Sequence, residues 1–275
     1  MKKLSVLFTT AVLSVFMCMS ALASTEIGLN LDWKYAGNSK INTGKAVLYT
    51  TDVAESARKG ITVAVNAGHG TKGGESVRTL CHPDGTKKVT GGSTSAGSTT
   101  ATAVSGGMTF SDGTAEPVAT LMVAESLKKQ LLQDGYDVLM IRDEKDVQLD
   151  NIARTVIANN KADCHIAIHF DSTKSNKGVF YMSTPDALKS MEPVASYWQK
   201  HEKLGESLVA GLKDAGLKVF SSGSMDMDLT QTSYSTIPSV DIEVGDKASD
   251  HSQAACDKIA SGLLTGINHY YGFSA

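Results

Sequence analysis

The chain has 275 residues, a formal net charge of -3 and 41% hydrophobic residues. This length is sufficient for one large domain or two small ones, each with a buried core. The near-neutral charge, without a basic stripe or an aromatic ladder, argues against nucleic acid as a partner.

The first 23 residues are typical of a secretory signal peptide. Two lysines precede an apolar run that ends in Ala21-Leu22-Ala23, the small-residue pattern that signal peptidase accepts. Serine and threonine residues dilute the run, so cleavage after Ala23 is favoured over a retained membrane anchor. Lipid attachment at Cys18 is disfavoured because Met17 is bulky where a small residue is expected. We therefore expect a protein that is secreted, periplasmic or associated with the cell wall, without a transmembrane anchor.

Removal of this segment leaves three cysteines, Cys81, Cys164 and Cys256, an odd number in an oxidising compartment. At most one disulfide can therefore form within the chain. Cys164 lies in an apolar run and is most simply a buried thiol. The sequence leaves open whether Cys81 pairs with Cys256.

A polar lead-in, residues 24–60, precedes the first strongly apolar strand. We expect it to be a short strand, a hairpin or a partly ordered segment. The apolar strand, predicted over 61–66, leads into Gly68-His69-Gly70. The two glycines relax the backbone and leave space around His69, as a ligand site requires. An ordinary turn with an exposed histidine is the alternative.

A polar insertion follows, because residues 84–113 are rich in glycine, serine and threonine and contain few large apolar residues. This composition predicts a long mobile loop. The pattern changes at Glu116, where a helix is predicted because Pro117 suits a helix start and Gly135 suits a helix end.

Strands and helices alternate along the chain. Further strands are predicted over 46–50, 136–142, 162–170, 177–183 and 239–245, and further helices over 146–160, 194–216 and 252–272. The strand over 162–170 is apolar almost throughout, which is typical of a sheet covered on both faces. The alternation predicts a single α/β domain with a mostly parallel central sheet, helices on both faces and ligands near the strand ends.

Four ligand-type residues lie at or near the ends of predicted elements: His69, Glu116, His169 and Glu243. We expect the four to converge on one pocket. Two neutral imidazoles and one carboxylate form a common zinc shell that leaves a position for water. The remaining carboxylate can then take the proton of that water.

Three motifs carry a resemblance to a known family. They are NAGHG over 66–70, IRDEKDVQLDNIARTVIANNKADCHIAIHFDS over 141–172, and IPSVDIEVG over 237–245, before a terminal helix. In these motifs, and in the glutamate that opens the helix at Glu116, the chain resembles the zinc-dependent N-acetylmuramoyl-L-alanine amidases of the Amidase_3 type. The resemblance spans residues 61–272, with gaps.

The resemblance implies a set of roles. His69, Glu116 and His169 would bind zinc, and Glu243 would be the catalytic carboxylate. The substrate would be the amide bond between the lactyl group of N-acetylmuramic acid and L-alanine in peptidoglycan. The domain plan would be a signal peptide over 1–23, a lead-in over 24–60 and a zinc amidase domain over 61–275, with the polar insertion over 84–113.

Neighbouring residues leave alternatives open for these roles. Glu75 is a competing metal ligand because it lies close in sequence to the first histidine. Asp241 competes with Glu243 for the role of base because the two share one face of a strand. His165 shares a strand face with His169 and is either an alternative ligand or a histidine packed behind the ligands.

Two further residues are expected around the ligands or against the substrate. By the resemblance, Arg154 is structural near the site. Asp171 stands where an asparagine is more typical of the family, so we expect altered substrate contacts there.

Two other functions are compatible with the same residues. One is a zinc peptidase that cuts within the peptidoglycan stem peptide, and the other is a wall-binding module without catalysis. We further expect the 84–113 segment to be a flap over the pocket that gates access or binds a protein activator, with an inert loop as the alternative. A monomer is expected.

Overall fold

The computed structural model of the protein describes residues 23–274. The predicted signal peptide therefore lies outside the described residues, apart from Ala23. Within 23–274, none of the helices combines the length and the apolar character needed to cross a membrane.

The described residues form ten strands and five α-helices. The strands are β1 (Ser24–Gly28), β2 (Lys45–Tyr49), β3 (Thr62–Ala67), β4 (Arg78–Leu80), β5 (Thr100–Thr102), β6 (Asp137–Met140), β7 (Cys164–Asp171), β8 (Val179–Ser183), β9 (Val219–Asp226) and β10 (Ser239–Asp246). The helices are α1 (Glu116–Gln133), α2 (Asn151–Lys161), α3 (Val194–Asp214), α4 (Thr230–Tyr234) and α5 (Gln253–Tyr271).

Eight strands form one sheet, in the order β1-β2-β6-β3-β7-β10-β8-β9. The four central strands, β6, β3, β7 and β10, run parallel to one another. Antiparallel pairs lie outside them, between β1 and β2, β2 and β6, and β8 and β10. β4 and β5 pair separately. The predicted fold class, a single α/β domain with a mostly parallel central sheet, is confirmed.

Side-chain alternation along β7 separates the core from the site. Ile166 and Ile168 pack into the larger core, together with residues of α1, α3 and α5. Because successive side chains of a strand point to opposite faces, His165 and His169 point to the other face. That face is covered by α2, whose Ile157 packs into a second core with side chains of β3 and β6. Helices therefore cover both faces, as predicted.

The structure corrects the start of the helix predicted over 146–160. The helix begins at Asn151, because Asp150 caps it by accepting the backbone N–H of Ala153 at 2.8 Å. The other carboxylate oxygen of Asp150 accepts the N–H groups of Lys40 and Ile41, at 2.6 and 2.9 Å. This residue therefore joins the helix to the lead-in, whose strands β1 and β2 form an antiparallel pair at the edge of the sheet.

The structure also corrects the mobile loop predicted over 84–113. The segment contains β5, and five of its apolar side chains are buried: Ala101, Ala103, Val104, Met108 and Phe110. It packs against the connection between β9 and α4, two elements that the sequence analysis did not predict. The predicted flap is therefore an ordered wall of the domain.

A buried charge cluster holds this wall in place. The carboxylate of Asp228 lies 2.9 Å from Nε2 of His82 and 3.7 Å from the ammonium of Lys88, and it accepts the N–H of Val89 at 2.7 Å. Lys88 also donates to the carbonyl oxygen of Asp228. His82 and Asp228 are fully buried. Composition alone could not reveal this contact, since the partners are about 140 residues apart in sequence.

The three described cysteines, Cys81, Cys164 and Cys256, are buried and unpaired. No disulfide therefore forms within residues 23–274 of this structure. Burial raises the pKa of Cys164 to about 12, so its thiol stays protonated, as expected of a packed cysteine.

We predict that Asp228→Ala lowers the free energy of unfolding by about 3–5 kcal/mol, because it leaves the buried Lys88 ammonium without its carboxylate partner. Burial raises the pKa of Asp228, but the hydrogen bonds from His82 and Val89 and the charge of Lys88 lower it below its ordinary value. The stabilisation is therefore present above the ordinary carboxyl pKa of about 4 and is lost as the pH falls through the lower folded-state pKa. Urea unfolding at neutral and acid pH measures both effects.

Asp186→Ala is the matched control, since Asp186 forms an exposed ion pair with Lys189. It should leave the free energy of unfolding nearly unchanged. Equal, small losses for the two variants would contradict a structural role for the cluster around Asp228.

Candidate metal centre

His69 follows β3 in the turn between two glycines. Its backbone has a positive φ of 64°. Its Nδ1 lies 2.8 Å from the carbonyl oxygen of Ser105. Because a carbonyl only accepts hydrogen bonds, Nδ1 carries the proton in the neutral ring and Nε2 presents a lone pair. Gly68 leaves room for the second histidine, since a Cβ there would lie 2.3 Å from Cε1 of His169.

Glu116 is the first residue of α1 and is almost completely buried. Its two carboxylate oxygens are held separately: Oε2 accepts the N–H of Met108 at 2.8 Å, and Oε1 accepts the N–H of Phe170 at 2.9 Å. Oε1 also lies 2.9 Å from Nε2 of His69. Burial raises the pKa of Glu116, but the hydrogen bonds and charges of His169 and His69 lower it well below its ordinary value.

His169 completes the group from the carboxyl end of β7. Its Nδ1 lies 3.0 Å from Nε2 of His69 and 3.3 Å from Oε1 of Glu116. Its Nε2 faces the carboxylate of Asp241 at 3.5 Å. Burial lowers the pKa of His169, but the charges of Asp241 and Glu116 raise it to about 9. The ring is therefore held between two acidic groups.

The three facing atoms of His69, Glu116 and His169 fit a zinc ion. Two bonds of 2.0–2.1 Å at a tetrahedral angle place ligand atoms about 3.3 Å apart, close to the spacing found here. Two imidazole lone pairs and a carboxylate oxygen repel one another at such distances, and protons on the imidazoles or a bound cation offset that repulsion. Within residues 23–274, the histidine, cysteine and acidic side chains form no other group of three or more that could hold a metal ion.

Two carboxylates of β10 lie beside this group. The parallel pairing of β10 with β7 sets Glu243 opposite His169 and Asp241 opposite Ala167. Glu243 is largely buried, and burial raises the pKa of both carboxylates above the ordinary value. Oδ1 of Asp241 and Oε2 of Glu243 have no hydrogen-bond partner among the described residues. Each carboxylate can therefore still accept a proton.

The competing ligand Glu75 lies outside the group. Its Oε1 accepts the N–H of Gly106 at 3.0 Å, so its carboxylate holds a neighbouring turn. His165 also lies outside: its Nδ1 is 3.4 Å from the hydroxyl of Ser239, and burial, with the charge of Arg154, lowers its pKa to about 3. It is therefore a neutral histidine buried near the ligands.

Asp171 does not belong to the metal group. Its carboxylate accepts hydrogen bonds from the hydroxyl of Thr173 at 2.9 Å and from the ammonium of Lys177 at 3.0 Å. These contacts order the connection between β7 and β8. The structure therefore gives Asp171 a role in the loop that follows the second histidine.

Two buried guanidinium groups fix the chain around His69. Arg154 donates to the carbonyl oxygen of His69 at 2.6 Å and to the hydroxyl of Thr71 at 2.8 Å. Arg142 donates to the carbonyl oxygens of Gly68, at 3.0 Å, and Pro117, at 2.9 Å. Arg142 therefore ties the turn before one ligand to the helix that carries another, a role that the sequence analysis missed. Its one signal was a charged residue at the end of an apolar strand.

A polar cavity of about 110 Å³ opens beside the metal group. Its lining includes both histidines, Asp241, Asn66, Asn151 and Gln231. The sequence analysis did not single out the three amide residues as site residues, although Asn66 and Asn151 lie within motifs that carry the family resemblance. A larger groove of about 570 Å³ lies between β8 and α5 but contains no histidine or cysteine. The smaller cavity is therefore the candidate site, because both histidines of the metal group line it.

The sequence of this chain matches a protein family, and its fold matches several solved structures. A family described as N-acetylmuramoyl-L-alanine amidase, Amidase_3, matches residues 63–268. No curated protein matches the sequence.

The fold is similar to those of several solved amidases. The amidase Ami1 of Mycobacterium smegmatis has 16% identity and a TM-score of 0.65, over 78% of this chain and 97% of its own. Ami1 of Mycobacterium abscessus has 20% identity and a TM-score of 0.60, over 77% and 99%. The amidase CwlD of Clostridioides difficile, solved in complex with the GerS lipoprotein, has 18% identity and a TM-score of 0.55, over 77% and 98%. At these identities the likeness establishes the fold.

Proposed function

Because the chain belongs to the N-acetylmuramoyl-L-alanine amidase family, we propose that it cleaves peptidoglycan with a zinc ion held by His69, Glu116 and His169. The family match confirms the resemblance inferred from the sequence. The protein is accordingly a hydrolase of the amide bond between N-acetylmuramic acid and L-alanine. The mutual approach of the three ligand atoms, at 2.9 to 3.3 Å, is the observation that carries the zinc proposal.

The hydrogen bonds around the ligands support this assignment. The Ser105 carbonyl keeps the proton of His69 on Nδ1, so Nε2 is free to bind a metal. Asp241 lies near Nε2 of His169 and favours a proton there, which leaves Nδ1 for the metal. Glu116 is ionised and is held by two backbone N–H groups. All three side chains are thus oriented as ligands, and metal binding displaces the proton from Nδ1 of His169.

Amide hydrolysis at this site needs a polarised carbonyl, an activated water and a proton for the leaving nitrogen. Zinc, when bound, polarises the carbonyl and lowers the pKa of a bound water to about 7. Glu243 accepts a proton from the attacking water and delivers it to the nitrogen of the departing L-alanine. The C–N bond breaks, and the hydroxyl of the water remains on the lactyl carbonyl carbon.

The position of Glu243 supports its role as base. It lies level with His169 at the carboxyl end of β10, the end at which α/β sheets place their sites. Its longer side chain also extends further from the strand than that of Asp241. Asp241 lies two residues earlier on β10, opposite Ala167. It faces Nε2 of His169, where it can orient the ring.

The cellular setting follows from the substrate. Enzymes of this family act on the cell wall, and we propose that residues 1–23 direct secretion and are removed after Ala23. Peptidoglycan is the partner that the family match supports. Binding of a protein activator by residues 84–113 stays a prediction. The monomeric state of the protein stays a prediction as well.

We predict that the purified protein binds one zinc ion, loses hydrolysis on treatment with a chelator and regains it when zinc is restored. Glu116→Gln should lower zinc content because it removes the charged ligand. Glu125→Gln, which changes a half-exposed residue of the same helix, should leave zinc content unchanged. Elemental analysis measures the metal, and a zinc content well below one equivalent in the wild-type protein would contradict the proposal.

We predict that Glu243→Gln reduces hydrolysis roughly 100-fold or more, while zinc content and melting temperature hold, because it keeps the size of the side chain and removes the base. Asp241→Asn is the matched variant and should lose less of the hydrolysis rate than Glu243→Gln, because its amide oxygen can still accept a hydrogen bond from Nε2 of His169. Mass spectrometry of peptidoglycan digests gives the rate and the cleaved bond. The reverse result would make Asp241 the base, and cleavage within the stem peptide would identify a peptidase.

A further inference from the structure

The inserted segment reaches the metal group through one short stretch, which we call the Ser105–Met108 turn. This turn contacts two of the three ligand side chains, His69 and Glu116. We propose that the Ser105–Met108 turn positions these two ligands, so that the insertion contributes to the structure of the metal site. The inference rests on the proposed function, since it concerns zinc binding by the same residues.

The turn orients the first histidine through a backbone carbonyl. The carbonyl oxygen of Ser105 lies 2.8 Å from Nδ1 of His69, and the Ser105 hydroxyl lies 3.2 Å from the same atom. This contact selects the tautomer with a lone pair on Nε2 and fixes the plane of the ring. The ligand atom therefore depends on a residue that lies 36 positions away in sequence.

The turn orients the glutamate through a reciprocal pair of hydrogen bonds. The N–H of Met108 donates to Oε2 of Glu116 at 2.8 Å, and the N–H of Glu116 donates to the carbonyl oxygen of Met108 at 3.0 Å. With Oε2 engaged in this way, Oε1 is directed at the two histidines. The same pair satisfies a backbone N–H that the first turn of a helix leaves without a partner.

Gly107 allows the turn to come this close. Its φ is +83°, and a Cβ at this position would lie 2.8 Å from both Oε2 of Glu116 and Cδ2 of His69. A side chain would therefore displace both ligands at once. Since no real Cβ makes contacts this short, glycine is the residue that the site tolerates here.

The turn is itself held on both sides. The N–H of Gly106 donates to Oε1 of Glu75 at 3.0 Å, and the N–H of Ala103 donates to the carbonyl oxygen of Val77 at 2.9 Å. On the other side, Met108 and Phe110 pack into the larger core. Glu75, which the sequence offered as a ligand, is thus a positioning residue that acts through the turn.

Gly107→Ala tests the proposal, with Gly97→Ala as its matched control. Gly97 also has φ +83° and lies in the same segment, but a Cβ there would meet nothing within 4 Å. The two variants therefore share the backbone strain and differ only in the contact with the ligands. Competition with a chromophoric chelator gives the zinc Kd, absorption of the cobalt-substituted protein reports ligand geometry, and thermal unfolding of the metal-free protein reports stability.

We expect Gly107→Ala to weaken zinc binding by about 10–100-fold and to change the cobalt spectrum, as loss of a ligand-orienting contact does. Gly97→Ala should bind zinc like the wild-type protein, with a similar decrease in metal-free melting temperature. Equal zinc Kd values for the two variants, together with an unchanged cobalt spectrum, would overturn the proposal. Failure of the wild-type protein to bind zinc would instead overturn the proposed function, so the two failures are distinguishable.

A second pair of variants covers the case in which Gly107→Ala does not fold. Glu75 is exposed, so Glu75→Ala removes the acceptor for Gly106 without opening the core. We expect a weaker zinc affinity for Glu75→Ala and recovery with Glu75→Gln, whose amide oxygen still accepts that N–H. Wild-type affinity for Glu75→Ala would count against a role of the turn in metal binding.

Discussion

Three electron-rich atoms converge in a buried space at the end of the sheet, and their close approach is the constraint on which the rest of the site depends. Nε2 of His69, Oε1 of Glu116 and Nδ1 of His169 lie 2.9 to 3.3 Å from one another. Their mutual repulsion in a medium of low dielectric constant is offset by protons on the histidines or by a bound cation such as the proposed zinc. Much of the surrounding structure serves to hold these atoms in place against that repulsion.

The sheet supplies the first level of this support. β3, β7 and β10 are parallel neighbours, so their carboxyl ends lie at one edge and bring His69, His169 and Glu243 together. The guanidinium groups of Arg142 and Arg154 then bind the carbonyl oxygens around the first histidine. Both are fully buried, so their hydrogen bonds to these carbonyl oxygens are shielded from water.

The inserted segment supplies the second level. Its polar composition is compatible with a mobile loop, yet the contacts of Lys88 with Asp228, and of the Ser105–Met108 turn with two ligands, make it an integral wall of the site. Buried polar contacts of this kind can order a chain that has few apolar side chains to bury. The insertion thus contacts the side chains of His69 and Glu116 without belonging to the metal group itself.

The sequence by itself determined the alternation of strands and helices, the fold class and the family, because apolar periodicity and short motifs are local properties of the chain. It also singled out His69, Glu116 and His169, which lie at element ends that a parallel sheet brings to one edge. Only the tertiary structure decided the place of Glu75, the role of Arg142 and the order of residues 84–113. Each of these depends on a hydrogen bond or a buried charge between residues far apart in the chain, and such contacts leave no periodic trace in the sequence.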